Sequence, residues 1–161
     1  MPTLVDKDAC QLLDADHIAV KHLFVEYARL AAAPAAAQEA DRKPIAMKIC
    51  AELTVHAQIE EEIFYPALQK AVPDTQELLK EAQAEHQQAK DLIAQIQGLS
   101  TADAVMDALV AKLNVAVEHH VKEERDELFP KAKAAAELDL DALGAQLRER
   151  QQQLEGETTT A

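Results

Sequence analysis

His56 and Glu60 stand four residues apart in His56-Ala57-Gln58-Ile59-Glu60-Glu61-Glu62-Ile63-Phe64-Tyr65-Pro66. His120 and Glu124 repeat that spacing in His120-Val121-Lys122-Glu123-Glu124-Arg125-Asp126-Glu127-Leu128-Phe129-Pro130. On an α-helix, positions i and i+4 share a face one turn apart, so each stretch offers an imidazole beside a carboxylate. His17 and His86 add one imidazole each. Neutral imidazole ligates iron, zinc or copper, and a carboxylate can bridge two metals. Four His and two Glu at one level suit a dinuclear centre, with two His per metal and Glu60 and Glu124 as bridges. Coordination positions stay open for water, dioxygen, peroxide or nitric oxide.

Bringing these residues together requires four helices. Asp8 caps the first, with Gln11 at the third position, and its stripe runs Cys10, Leu13, His17, Val20, Phe24, Ala31. It runs to about Ala33, and Ala33-Pro34-Ala35 makes the first turn. The second helix begins between Ala36 and Pro44 and carries Ile45, Ile49, Leu53, His56, Glu60 and Ile63. Pro66 bends or ends it, with one more helical turn before Pro73. Asp74 caps the third helix (Leu79, Ala82, His86, Ala89, Ile93, Ile96), and Gly98 supplies a left-handed end. Thr101 or Asp103 caps the fourth (Met106, Leu109, Leu113, His120, Glu124, Leu128), which Pro130 closes.

Short connections predict an all-α, antiparallel up-down-up-down four-helix bundle over residues 8–131. From His17 to the first turn is about 16 residues, or roughly 24 Å, and the return to His56 is similar. The outward arm from His86 is shorter than the return arm to His120, so tilt or a longer loop must absorb the difference. The first two helices mirror the last two, and Lys21 and Lys90 each follow a His by four. Residues 132–155 hold an extra C-terminal amphipathic helix (Leu138, Leu140, Leu143, Leu147, Leu154), which packs on the bundle or on a second copy as a homodimer. Residues 156–161 read as a disordered tail.

Composition agrees. The chain has 161 residues, three Gly and 3% aromatic residues, as packed helices do. A net charge of −13 argues against nucleic acid or an anionic membrane as partner. Neither a transmembrane run nor a secretory leader is legible, and Cys10 and Cys50 suit a reduced, cytoplasmic protein as core residues, with a disulfide left open.

The pattern His17 / His56-x3-Glu60 / His86 / His120-x3-Glu124, with its Phe-Tyr-Pro and Leu-Phe-Pro endings, resembles the bacterial hemerythrin-like (HHE cation-binding) domain over residues 8–131. The Asp16-His17 and Glu85-His86 pairs fit it too. The resemblance implies two non-haem iron ions as a bridged di-iron centre, held by His17, His56, Glu60, His86, His120 and Glu124. Oxygen-carrying hemerythrins have a second His four residues after the third-helix His, where this chain has Lys90. Their closing spacing is His-x4-Asp, against His120-x3-Glu124, or His119-x4-Glu124 if the other His of the pair points inward. One His fewer argues against simple oxygen carriage. No Glu-x2-His of ferritin-like bundles and no His-Glu-x2-His of zinc hydrolases is present.

Bland roles compete for the remaining residues. His22 lies on the surface, His119 is outer or exposed, and Lys90 lies at the edge of the site. Glu61, Glu62, Glu123 and Glu127 form a solvated face, although Glu61 or Glu123 can replace water as a ligand. Tyr27 reads as core packing before redox tyrosine. The leading function is binding or sensing of dioxygen, nitric oxide or peroxide, more a binding protein than an enzyme. The alternatives are decomposition of peroxide, reduction of nitric oxide, or an iron-responsive storage module.

Overall fold

The computed structural model describes residues 7–33 and 38–160. The sequence also suggests a short tail over residues 1–7; all of it but Lys7 lies outside the described residues, as do the turn at Pro34-Ala35, residues 36–37 and Ala161. Seven α-helices and no strands occur among the described residues: α1 (Ala9–Ala32), α2 (Gln38–Ile59), α3 (Tyr65–Ala71), α4 (Gln76–Gln97), α5 (Ala104–Glu123), α6 (Phe129–Ala134) and α7 (Leu140–Thr160). α2 passes through a π-helical turn, Glu60–Phe64, into α3, and α5 passes through Glu124–Leu128 into α6. Four rods result. α1 packs on α2 and α5, and α4 packs on α5 and α2.

Local signals explain most boundaries. Asp8 and Gln11 form a reciprocal capping box at the start of α1. Asp103, rather than Thr101, caps α5 by accepting from the backbone N–H of Val105 and Met106. Three expectations need correction. Asp74 does not cap α4; it lies in a 3₁₀ turn over Pro73–Thr75, and α4 starts after Thr75, whose hydroxyl donates to the Val72 carbonyl. Gly98 ends α4 in right-handed geometry, with φ −77° and ψ −10°. Pro130 does not close the fourth rod, because α6 carries on to Ala134.

The two π turns explain why neither proline breaks its rod. Tyr65 N–H donates to the Glu60 carbonyl and Phe129 N–H to the Glu124 carbonyl, each spanning five residues. Pro66 and Pro130 follow directly. A proline has no N–H to close an α-turn onto the carbonyl four residues back, so a widened turn absorbs the mismatch.

A polar layer divides the core. On one side lie Leu13, Ile59, Phe64, Leu79 and Leu128; on the other lie Val20, Phe24, Ile49, Ile93 and Leu113. Between them His17, His56, Glu60, His86, His120 and Glu124 are all buried. The uneven His86 and His120 arms still meet, with their Nε2 atoms 3.2 Å apart, and residues 98–103 connect α4 to α5. Cys10 and Cys50 are free, buried and in opposite core clusters, which removes the disulfide option.

α7 packs on α1 and α2 of its own chain, burying Leu143, Leu147 and Leu154. Its apolar stripe is therefore not left for a second copy. The helix continues through Thr160, past Gly156, where the sequence suggested a disordered tail. Gly144 makes the docking possible. A Cβ there would meet the Lys7 carbonyl oxygen at 2.5 Å and the Asp8 carbonyl carbon at 2.8 Å.

Candidate metal centre

Helix α1 supplies His17, α2 supplies His56, α4 supplies His86 and α5 supplies His120. The π turns supply Glu60 and Glu124 at their first positions. The six sequence-predicted residues converge in two adjoining groups. His17, His56, Glu60 and Glu124 present donor atoms within 4.8 Å of one another, as do Glu60, His86 and His120. Glu60 belongs to both groups. Glu124 lies 3.0 Å from His17 Nε2 and 3.4 Å from His120 Nε2, so it too reaches both.

Each imidazole is aimed by a carboxylate on its outer nitrogen. His17 Nδ1 lies 3.0 Å from Asp14, His56 Nδ1 3.0 Å from Asp16, His86 Nδ1 2.8 Å from Glu61 and His120 Nδ1 2.8 Å from Glu85. An ionised carboxylate only accepts, so each Nδ1 carries the proton and each Nε2 turns a lone pair inward. Carboxylate–His pairs of this kind orient metal-binding histidines. Asp16 and Glu85, each next to a histidine in the sequence, cross to His56 and His120 on other helices. Glu61 is tied to His86 and Lys90, and Glu123 to His119, so these carboxylates are engaged outside the two groups.

The inward donor set asks for cations. His86 Nε2 and His120 Nε2 face each other at 3.2 Å, and His56 Nε2 sits 3.3 Å from Glu60 Oε1. Lone pairs directed at one another in a buried site need a proton or a metal between them. His56 Nε2 and Glu60 Oε2 are buried without a hydrogen-bond partner. Protonation shows the same demand. Burial opposes charge on His120, yet Glu124, Glu60 and Glu85 lift it to about 10. Burial likewise opposes charge on His56, and Glu60 leads the carboxylates that outweigh it and hold it well above its ordinary value. Burial and the adjacent Glu60 push Glu124 upward. Metal binding would displace such protons.

Tyr65 is the residue that periodicity missed. Its hydroxyl donates to Glu124 Oε2 at 3.1 Å and lies 3.3 Å from His86 Nε2 and 3.2 Å from His120 Nε2. Burial, then the charges of Glu60 and Glu124, raise its phenol well above the ordinary value and keep the O–H. In a regular α-helix Tyr65 would stand about 140° round from Glu60. The π turn stacks i on i+5 and brings it into the centre. Tyr27 is remote from it, bonding Asp107 at 2.7 Å beside Arg42.

Two hollows adjoin the centre. One of about 50 Å³ touches all four histidines and is otherwise lined mainly by Leu53, Ile93, Val117 and similar apolar groups, with Lys90 at its edge. The second is an open groove of about 580 Å³ between α1 and α5, bordered by His17, Ile18, Phe24 and the exposed His22. His119 is exposed, as expected, and pairs with Glu85 and Glu123 at 3.2 and 3.1 Å.

Comparison with known proteins agrees with this geometry. Residues 8–132 match the Hemerythrin HHE cation binding domain. The crystal structure of a Hemerythrin HHE cation binding domain-containing protein from Mycobacterium kansasii superposes with a TM-score of 0.76. It is 24% identical, and the match covers 96% of this chain and 91% of that one. A search of curated proteins gives no match. A cation-ready donor set inside a helical bundle and a family match spanning that bundle lead to one conclusion: the chain belongs to the hemerythrin HHE cation-binding family.

Proposed function

We propose that this protein holds two non-haem iron ions, one near His17 and His56 and one near His86 and His120, with Glu60 and Glu124 between them. Nitrogen and oxygen donors without thiolate, and paired glutamates inside a helical bundle, favour iron over a thiolate-rich zinc site. Bound iron would supply one-electron redox chemistry and open coordination positions. The chain supplies orientation, by carboxylates on each Nδ1, and a small hollow of about 50 Å³ beside the imidazoles. That volume suits a diatomic or peroxide-sized ligand. We therefore read the protein as one that binds or senses dioxygen, nitric oxide or peroxide.

The observation that carries this is the convergence of four carboxylate-aimed imidazoles on two shared glutamates. Purified protein is expected to hold about two irons per chain and to show di-ferric charge-transfer bands that shift with azide. His56→Ala and Glu60→Ala are expected to lose most of the iron. One zinc per chain and no iron, from cells grown with ample iron, would overturn the assignment.

A second reading is disproportionation of peroxide, in which two H₂O₂ yield two H₂O and one O₂. Tyr65 favours it, because its buried O–H stands among the inward donors and can hand on a proton. Oxygen release from peroxide, compared between wild type and Glu124→Ala, separates turnover from simple binding. The buried thiols suit a reducing, cytoplasmic setting. No described helix is long and apolar enough to cross a membrane. A homodimer through α7 would have to use the polar face of that helix.

A further inference from the structure

The four carboxylates that aim the imidazoles have partners of their own. Asp14 accepts from Arg125 at 2.7 Å, Glu61 from Lys90 at 2.9 Å, and Glu85 pairs with His119 at 3.2 Å. All three partners lie within residues 8–132, the segment that matches the family. The fourth does not. Asp16 is held by Gln151 of α7, whose Nε2 donates to Oδ1 at 3.1 Å and to Oδ2 at 2.9 Å. Asp16 Oδ2 is also the atom that accepts from His56 Nδ1.

Two further contacts set α7 in register over that point. Arg150 grips Glu62 through Nε at 2.8 Å and its terminal nitrogen at 3.4 Å, and Glu62 belongs to the π turn that carries Glu60. Gly144 lets α7 lie against the backbone of Lys7 and Asp8. The C-terminal helix thus touches both the support of a ligand imidazole and the turn bearing a shared glutamate.

We propose that α7 is a positioning arm of the metal centre and that Gln151 is its working residue. A single amide nitrogen bonded to both oxygens stops the Asp16 carboxylate from rotating away from His56 Nδ1. The held carboxylate keeps accepting from His56 Nδ1, so the lone pair of Nε2 faces inward. Gln151 acts through Asp16 and touches neither a ligand atom nor the hollow. The inference rests on the dinuclear reading above and deepens it, because it makes the metal near His17 and His56 depend on a helix outside the matched domain.

The test uses the full chain and ferrous iron, titrated without oxygen against a chromophoric chelator. Wild type is expected to bind two equivalents; fewer would overturn the dinuclear reading itself, and the inference with it. Gln151→Leu and the isosteric Gln151→Glu are expected to weaken one equivalent about tenfold, the lower end for losing support behind a metal-binding His. The other equivalent should stay at wild-type strength, and the apo-protein Tm within about 2 °C, under roughly 1 kcal/mol for a chain this size. Gln151→Lys, which restores a donor to Asp16, is expected to recover the weakened equivalent. Wild type holding two irons while both loss variants bind two at full strength would overturn the role of Gln151 alone. Equal weakening of both equivalents with a falling Tm would also overturn it, since that marks a packing residue.

Discussion

The Tyr65 hydroxyl donates to Glu124 at 3.1 Å, whereas Phe129, at the corresponding place in the second half of the chain, stacks on His17 with ring centroids 6.0 Å apart. The two halves repeat the His-x3-Glu pair and the π turn, yet one ends in a phenol and the other in a bare ring. The phenol therefore stands beside His86 and His120, while a ring without a hydroxyl faces His17. Tyr65→Phe is expected to retain both irons and to slow any reaction with peroxide that needs this proton. Iron content and oxygen release, measured on the same sample, check it; wild-type release from the variant would remove Tyr65 from the chemistry.

The carboxylates on Nδ1 should matter nearly as much as the ligands. Glu85 accepts from His120 Nδ1 at 2.8 Å. Glu85→Ala frees that ring to rotate and is expected to weaken iron binding about 10- to 100-fold. Chelator competition measures the loss. Glu77→Ala, an exposed position on the same helix, should change nothing.

Both thiols should resist modification. Burial, followed by the charge of Asp8, pushes Cys10 up to about 12, and burial pushes Cys50 to about 11. A raised thiol pKa lowers the thiolate fraction at any given pH, and the thiolate is the reactive form. Native protein at pH 8 should therefore show almost no labelling by a disulfide reagent, with two thiols appearing on unfolding. Faster labelling is expected as pH rises toward the thiol values. Prompt labelling of the native protein at pH 8 would contradict the burial described.

α7 should be worth measurable stability. Its own Leu147 is fully buried against the bundle, and Leu147→Ala is expected to cost roughly 2–5 kcal/mol. Gly144→Ala drives a Cβ into the backbone of Lys7 and Asp8, which has no side-chain freedom to yield, so an overpacking cost of about 1–3 kcal/mol is expected. Denaturant midpoints give both numbers. If Gly144→Ala left the midpoint unchanged, the close approach of α7 to α1 would be wrong.

Spacing alone decides which side chains share a helical face. That rule made His17, His56, Glu60, His86, His120 and Glu124 legible, together with the number of rods and their antiparallel order. It is local physics, since 3.6 residues per turn and a buried apolar stripe leave little choice of face. Which side chain of a neighbouring rod supports which ligand was not legible. Asp16 serves His56 and Glu85 serves His120 because packed helices bring distant side chains closer than chain neighbours. Tyr65 entered the centre because a turn before a proline widened and changed the phase that spacing assumes. Gln151 reached Asp16 only because α7 docked on α1 through a glycine whose significance lies in a contact 136 residues away, at Asp8. Periodicity assigns faces within one helix; which face meets which is settled when the helices pack.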